Sequence, residues 1–369
     1  MDLCSWPNLQ RVKGFGICIV LLISMLGFSC SSERSRTEKL LGVKVEDFPG
    51  PQGIDDLNDS TKPFEFTFAA QTPSGDRPKP WYESISSVYA TAPDGTVWEA
   101  FCGHAGTEPE VDPRFDTRSD SLTRPKIVES YRGFVSTTEN TRQSYGSHLG
   151  YAYSPQDVYI GQRNGERLQT SLFFRDVGSH TTAPHHLAID SSGNAHLVVA
   201  DVNISDGNTL DLYWVTGSLS TGNWTSAWLI DHRGFTSSSH PWNGAWGDKI
   251  HLLWHWDTGA TQDPAMGLYH VEKTNSGFTK KTKIFSGRAD GWSAALNSKT
   301  GQVLVVVPSE NGVFLFSKEN DKSWAGPTPF PVNFNYRPYS LTESAPNGAF
   351  LLKLGFDDFK QWLITPRFE

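Results

Sequence analysis

The chain has 369 residues, 32 Lys and Arg against 40 Asp and Glu, and a formal charge of −8. A charged fraction of only 20%, with 33 Gly and 22 Pro, excludes a helical bundle or coiled coil. The 13 Trp, 11 Tyr and 22 Phe exclude a disordered chain, and the acidic balance excludes a general electrostatic pull toward nucleic acid.

At the N-terminus, Arg11 and Lys13 precede an apolar run from Phe15 to Ser29. A membrane-spanning helix needs about 20 apolar residues, so this shorter run with a basic flank reads as a secretory signal. Its end, Leu26-Gly27-Phe28-Ser29-Cys30, resembles a bacterial lipobox. That resemblance implies cleavage before Cys30, acylation of Cys30, and a lipoprotein anchored in the cell envelope or periplasm; an ordinary signal would give a secreted protein. Cys4 and Cys18 leave with the signal, and an acylated Cys30 leaves Cys102 without a disulfide partner. The exported domain must then rest on its own core. Residues 30–62 are polar and carry Pro49, Gly50, Pro51 and Gly53, which predicts a flexible tether between the signal (1–29) and a domain over 63–369.

Beyond the tether, short alternating strands separated by turn signals predict an all-β domain. Six segments share one form, an alternating strand, a polar turn and a second apolar strand. They are SVYATAPDGTVWEAF (87–101), HLGYAYSPQDVYIGQ (148–162), HHLAIDSSGNAHLVV (185–199), HPWNGAWGDKIHLLW (240–254), SAALNSKTGQVLVVV (293–307) and SLTESAPNGAFLLKL (340–354). Their starts lie 61, 37, 55, 53 and 47 residues apart. A four-stranded propeller blade takes about 40–50 residues, so one such hairpin per blade predicts a single β-propeller. Six blades are favoured, with five or seven as alternatives. Phe64-Glu65-Phe66-Thr67-Phe68 alternates as a strand should and is expected to complete the last blade.

Two of the hairpin stretches, Ala92-Pro93-Asp94-Gly95-Thr96-Val97-Trp98 and Ile189-Asp190-Ser191-Ser192-Gly193-Asn194-Ala195-His196, resemble the BNR or Asp-box repeats of sialidase-like propellers. The stretch from His180 through Asp201 is similar to BNR-repeat propellers that include ulvan-type polysaccharide lyases. The resemblance implies a propeller but no single chemistry, because the motif is structural. Sialidases need an arginine triad and a Tyr/Glu pair. Here Tyr336-Arg337-Pro338 matches part of one arginine motif near the wrong end of the chain, which disfavours sialidase activity.

Aligning the six copies on Trp98, Tyr159, His196, His251, Leu304 and Leu351 puts Ser87, His148, His185, His240, Ser293 and Ser340 eleven residues earlier. Three consecutive copies thus present histidine at one register. On a propeller's innermost strands, His148, His185 and His240 would gather at one channel mouth, where ligands bind. Backbone-capping histidines are the structural alternative. Trp292, Tyr339 and Trp242 adjoin the same register and offer aromatic faces for sugar rings, or interblade packing. Arg337 and Arg288 precede the same strands and could pair with a carboxylate. His196 and His251, at the second-strand anchor, read as core residues.

These residues suit an enzyme acting on an acidic polysaccharide or oligosaccharide. In a lyase, Arg neutralises a uronate while His148, His185 or His240 and Tyr339 serve as base and acid. A glycosidase would need two facing carboxylates, and no convincing pair is evident. A non-catalytic glycan-binding propeller and an envelope interaction scaffold are the alternatives. The lyase chemistry requires no cofactor. Should a metal such as Zn²⁺ or Ca²⁺ be held, His148, His185 and His240 would be its ligands. The expected partners are a saccharide and, through the lipid, a membrane, with no nucleic acid. No P-loop, dinucleotide fingerprint or G-x-S-x-G elbow occurs in the sequence.

Overall fold

Side chains on a strand alternate between its two faces, so period-two patterning commits this chain to sheets. A computed structural model describes residues 38, 41–57, 62–71, 87–91, 97–104, 156–164, 167–174, 180–203, 209–234, 241–256, 263–289, 291–331, 338–343, 349–354 and 360–367. Three N-terminal strands come first: β1 (Val45–Asp47), β2 (Ile54–Asp56) and β3 (Glu65–Gln71).

Five sheets follow, each a meander of four antiparallel strands. The first contains β4 (Ser87–Thr91), β5 (Val97–His104), β6 (Gln156–Asn164) and β7 (Arg167–Phe174). The second contains β8 (His180–Ile189), β9 (Asn194–Asn203), β10 (Thr209–Ser218) and β11 (Asn223–Gly234). In the third, β12 (Trp242–Trp246), β13 (Lys249–Trp256), β14 (Gly267–Thr274) and β16 (Lys281–Ser286) are joined by the short β15 (Gly277–Phe278). The fourth contains β17 (Ser293–Leu296), β18 (Val303–Ser309), β19 (Gly312–Lys318) and β20 (Trp324–Pro329). The fifth has three consecutive strands, β21 (Pro338–Glu343), β22 (Phe350–Leu354) and β23 (Lys360–Arg367), and takes β3 as its fourth. The expectation that the Phe64–Phe68 stretch would complete the last sheet therefore holds.

First strands of successive sheets are neighbours: β4 lies against β8, β8 against β12, β12 against β17, and β17 against β21. The sheets are stacked face to face, which explains the apolar runs. Val303, Val305 and Val307 of β18 pack toward the third sheet with Leu253, Leu268 and Ile284, while Leu304 and Val306 pack toward the fifth with Leu352 and Ile364. All five residues from Val303 to Val307 are fully buried. A strand covered on both faces loses its polar alternate and reads as continuous Val and Leu. Each such side chain contributes about 1.5–3 kcal/mol.

Two expectations are corrected. The second copy of the repeated pattern does not begin a sheet of its own, because Gln156–Asn164 is the third strand of the first sheet and pairs with β5 and β7. Tyr159 is thus no equivalent of His196 or His251. The described residues make five sheets. The other correction concerns the tether, because residues 41–57 are part of the folded body. A helical turn closes at Gly42, β1 adds in parallel to β11, and β2 adds in parallel to β16. Val45 is fully buried among Leu187, Leu197 and Tyr213. The Pro and Gly that suggested flexibility shape the link between two docked strands.

Candidate functional site

First strands are edge strands, so irregularities in them are tolerated and can aim residues toward an opening. Two lie where the sequence placed functional residues. In β8, Pro184 pairs with Val199 and His186 with Val198, leaving His185 as the extra residue of a bulge. In β21, Pro338 pairs with Leu354 and Ser340 with Lys353, leaving Tyr339 as the extra residue. In both cases a proline, which cannot donate to a ladder, comes just before the bulged residue.

The ladders also revise the register. Two residues beyond each second-strand anchor, the partner on the first strand is Val88 opposite Ala100, His186 opposite Val198, Trp242 opposite Leu253, Ser293 opposite Val306 and Ser340 opposite Lys353. His185 is one residue ahead of this position and His240 two ahead. The shared eleven-residue spacing arises because the connecting turns differ in length, from Gly247 and Asp248 between β12 and β13 to residues 297–302 between β17 and β18. His148, His240, Arg337 and Cys30 lie outside the described residues. Trp242 and Trp292 are each 8% exposed and belong to the apolar core between the third and fourth sheets, so they are packing residues and not open platforms for a sugar. Arg288 is exposed on the link from β16 to β17.

The stretch from Asp190 to His196 has a structural role. Asp190 Oδ1 accepts hydrogen bonds from the Ser192 and Asn194 backbone N–H groups, each at 2.9 Å. Its Oδ2 accepts from Asn194 Nδ2 and from His196 Nε2, both at 3.0 Å. His196 therefore carries its proton on Nε2, and Nδ1 accepts from the Thr216 hydroxyl at 3.1 Å. Burial alone would raise the Asp190 pKa, but the bonds from His196 and Asn194 outweigh it and hold the carboxyl at about 2. The fourth sheet repeats the device with an amide: Asn297 Oδ1 accepts from the Lys299 and Thr300 N–H groups. Gly193 and Gly301 supply the positive φ that both turns require, at 77° and 72°.

A second buried network links the third and fourth sheets. Trp324 Nε1 donates to His270 Nδ1 at 3.1 Å. Only Nε2 of His270 can then hold the proton, and it lies 3.1 Å from His251 Nδ1. Both imidazoles are 2% exposed. Burial, and after it the nearby Lys318 and Lys249, lower the His251 pKa to about 3. Burial likewise keeps His270 well below the usual histidine range. His255, fully buried, accepts from the Ala289 N–H at 3.1 Å. The expectation that His196 and His251 are core residues holds.

One constellation escaped the sequence reading. On β10 and β11, the Asp211 carboxylate accepts from Tyr213 Oη at 2.8 Å and is paired with His232 Nδ1. Asp211 is 8% exposed and His232 41%. Asp211 stands between Leu210 and Leu212 in an ordinary strand pattern, and no sequence spacing signals a partner 21 residues away on the next strand. Among the described residues, no group of three or more His, Cys, Asp or Glu side chains is arranged to hold a metal ion.

No family model and no curated protein matches the chain. Solved structures of similar outline include a Hadza microbial sialidase, at a TM-score of 0.39 and 8% identity, covering 76% of this chain and 52% of that one. A Penicillium chrysogenum α-L-arabinanase complexed with arabinobiose has a TM-score of 0.41 and 10% identity, covering 83% of this chain and 98% of that one. A polysaccharide lyase, an ulvan lyase bound to an oligosaccharide, has a TM-score of 0.38 and 11% identity, covering 84% and 82%. The chain spans about half the length of the sialidase it matches.

Proposed function

We propose that the five sheets are blades of a closed β-propeller, and that its channel mouth binds and cleaves an acidic polysaccharide or oligosaccharide by β-elimination. The observation that carries this reading is the pair of bulged residues, His185 and Tyr339, on the first strands of the second and fifth sheets. They are an acid–base pair by side-chain type, and each departs from the ladder on a strand that lines the same side of the stack. In the reaction, Arg337 or Arg288 neutralises the uronate carboxylate, which lowers the cost of forming the carbanion. Neutral His185 takes the proton from the carbon next to the carboxylate. A carbon–carbon double bond forms as the glycosidic carbon–oxygen bond breaks, and the Tyr339 hydroxyl gives its proton to the departing oxygen. Water is not consumed.

The test is the ultraviolet absorbance of unsaturated uronate released from a panel of algal and plant polysaccharides. His185→Ala and Tyr339→Phe should each lower kcat by at least about 100-fold while leaving the melting temperature within a few degrees. Reducing sugar released without that absorbance would show hydrolysis, and binding without turnover would leave a glycan-binding propeller. We also propose export, with lipid attachment at Cys30, from the basic flank, short apolar run and lipobox-like end. Cys30→Ala should then release the protein from membranes, and membrane retention of that variant after signal cleavage would overturn the anchor.

A further inference from the structure

Turns of neighbouring sheets meet at one end of the stack. The Ser191 N–H, between β8 and β9, donates to the Gly247 carbonyl between β12 and β13 at 3.0 Å, and Asn275 Nδ2, beyond β14, donates to Asp248 Oδ2 at 2.8 Å. Lys249 reaches Asn320 and Asp321, in the turn between β19 and β20. The first strands β8 and β12 run toward this turn end. On the propeller reading β21 runs the same way, which puts Tyr339, its second residue, at the opposite end.

The N-terminal segment enters from the turn end. β1 is parallel to β11, and Val45 stands opposite Ala227, the fifth residue of β11, which itself starts beside the turn at Gly222. Glu38 precedes Val45 on the turn side: its carbonyl accepts from the Gly42 N–H and its Oε1 from the Val45 N–H, both at 2.9 Å. Leu41 is buried in one cluster with Ala195 and Trp224, the second residues of β9 and β11.

Distance then decides which end can meet a bilayer. Glu38 follows Cys30 by eight residues, a chain length that reaches at most about 29 Å. β11, with twelve residues, spans about 40 Å on its own. A lipid on Cys30 reaches the bilayer when the turn end faces it, and falls short when the opposite end does. A free tether over residues 30–62 would span about 110 Å and permit any orientation, so the docking of β1 is what imposes one. The surface agrees. Ser192, Ser220, Thr221, Ser276 and Thr300 are exposed and uncharged at the turn tips, and exposed Asp321 is paired with Lys249, so no block of negative charge meets an anionic leaflet.

We propose that the turn end of the stack is a membrane-facing surface, held at the lipid headgroups by the acylated N-terminus, with the saccharide mouth opening away from the bilayer. The inference rests on the lipid-anchor reading above and adds an orientation to it.

Energy transfer tests it, with the acylated full chain in vesicles of phosphatidylethanolamine and phosphatidylglycerol that carry a headgroup-labelled acceptor. Single fluorophores are placed in a Cys102→Ser background, on variants with the wild-type far-ultraviolet spectrum. Labels at the turn end, on Ser192→Cys and Thr300→Cys, should transfer at least about twice as strongly as labels on Ser286→Cys and Pro331→Cys, because the ends lie roughly a strand length apart. Both far-end positions are exposed, one closing β16 and the other following β20. A flexible insert of about twenty Gly and Ser residues after Ser32 should abolish the difference. Equal transfer from both ends of the unaltered chain, or stronger transfer from Ser286→Cys, would overturn the orientation and leave the anchor standing, as would a difference that survives the insert. A chain that never joins the vesicles would give no transfer from either end and overturn anchor and orientation together.

Discussion

His196, His251 and His270 are buried as neutral rings whose hydrogen bonds admit one proton arrangement, and that makes the fold sensitive to acid. Burial lowers all three below the ordinary value of 6.5, with Asp190 offsetting part of the effect at His196. The sign follows from proton binding. As pH falls below about 6.5 the unfolded chain takes up protons on these rings more readily than the native state does, so unfolding is favoured, by about 1.4 kcal/mol per pH unit for His251, which stays neutral down to about pH 3. Asp190 acts in a lower window: its contribution is complete above its ordinary value of 3.8 and is lost as pH falls toward about 2. Between pH 7.5 and 5 the histidines therefore dominate. The urea midpoint should be clearly lower at pH 5, and His251→Gln should flatten that dependence even though it lowers stability at pH 7.5. A midpoint independent of pH across this range would contradict the neutral, buried assignment.

Strands and their partners were legible where burial controls residue choice. The turn from Asp190 to Asn194 and the run from Val303 to Val307 each announced a hairpin, and β8–β9 and β17–β18 are those hairpins. Register across sheets was not legible, because a spacing counted along the chain includes turns of unequal length and the bulge at His185. The segment around Tyr159 shows the same limit differently. Its alternation is that of any half-buried strand, and nothing local distinguishes a third strand from a second. Residues 41–57 were misread because β1 and β2 have only three residues each, too few for a period to register, and take their stability from the edges they cover. Site residues suffered most from packing: Trp242 and Trp292 satisfy a sugar platform by residue type, but two stacked sheets bury them.

At the scale of the molecule, the fifth sheet joins residues from both ends of the described chain. β3 pairs with β23 from Glu65↔Arg367 to Gln71↔Gln361, and the Phe64 N–H donates to Thr328 Oγ1 in the fourth sheet at 3.0 Å. Phe64, Phe330, Trp362 and Ile364 share one core with Leu304 and Leu315. A row of sheets that ended at β22 would expose this core on one face, and each large apolar side chain left in water would cost about 1.5–3 kcal/mol. Pairing with an N-terminal strand instead ties the last sheet to the first part of the chain; on the closed-propeller reading proposed above, separate sheets then cannot unfold independently as the units of an open repeat array can. A chain truncated at residue 359 should therefore lose native structure throughout, with hydrogen exchange protection falling in β9 and β13 as well as in β22. Adding a peptide of residues 360–369 in trans should restore part of that protection. A truncated chain that keeps full protection in the second and third sheets would show that the sheets are stable without closure and that no closed ring couples them.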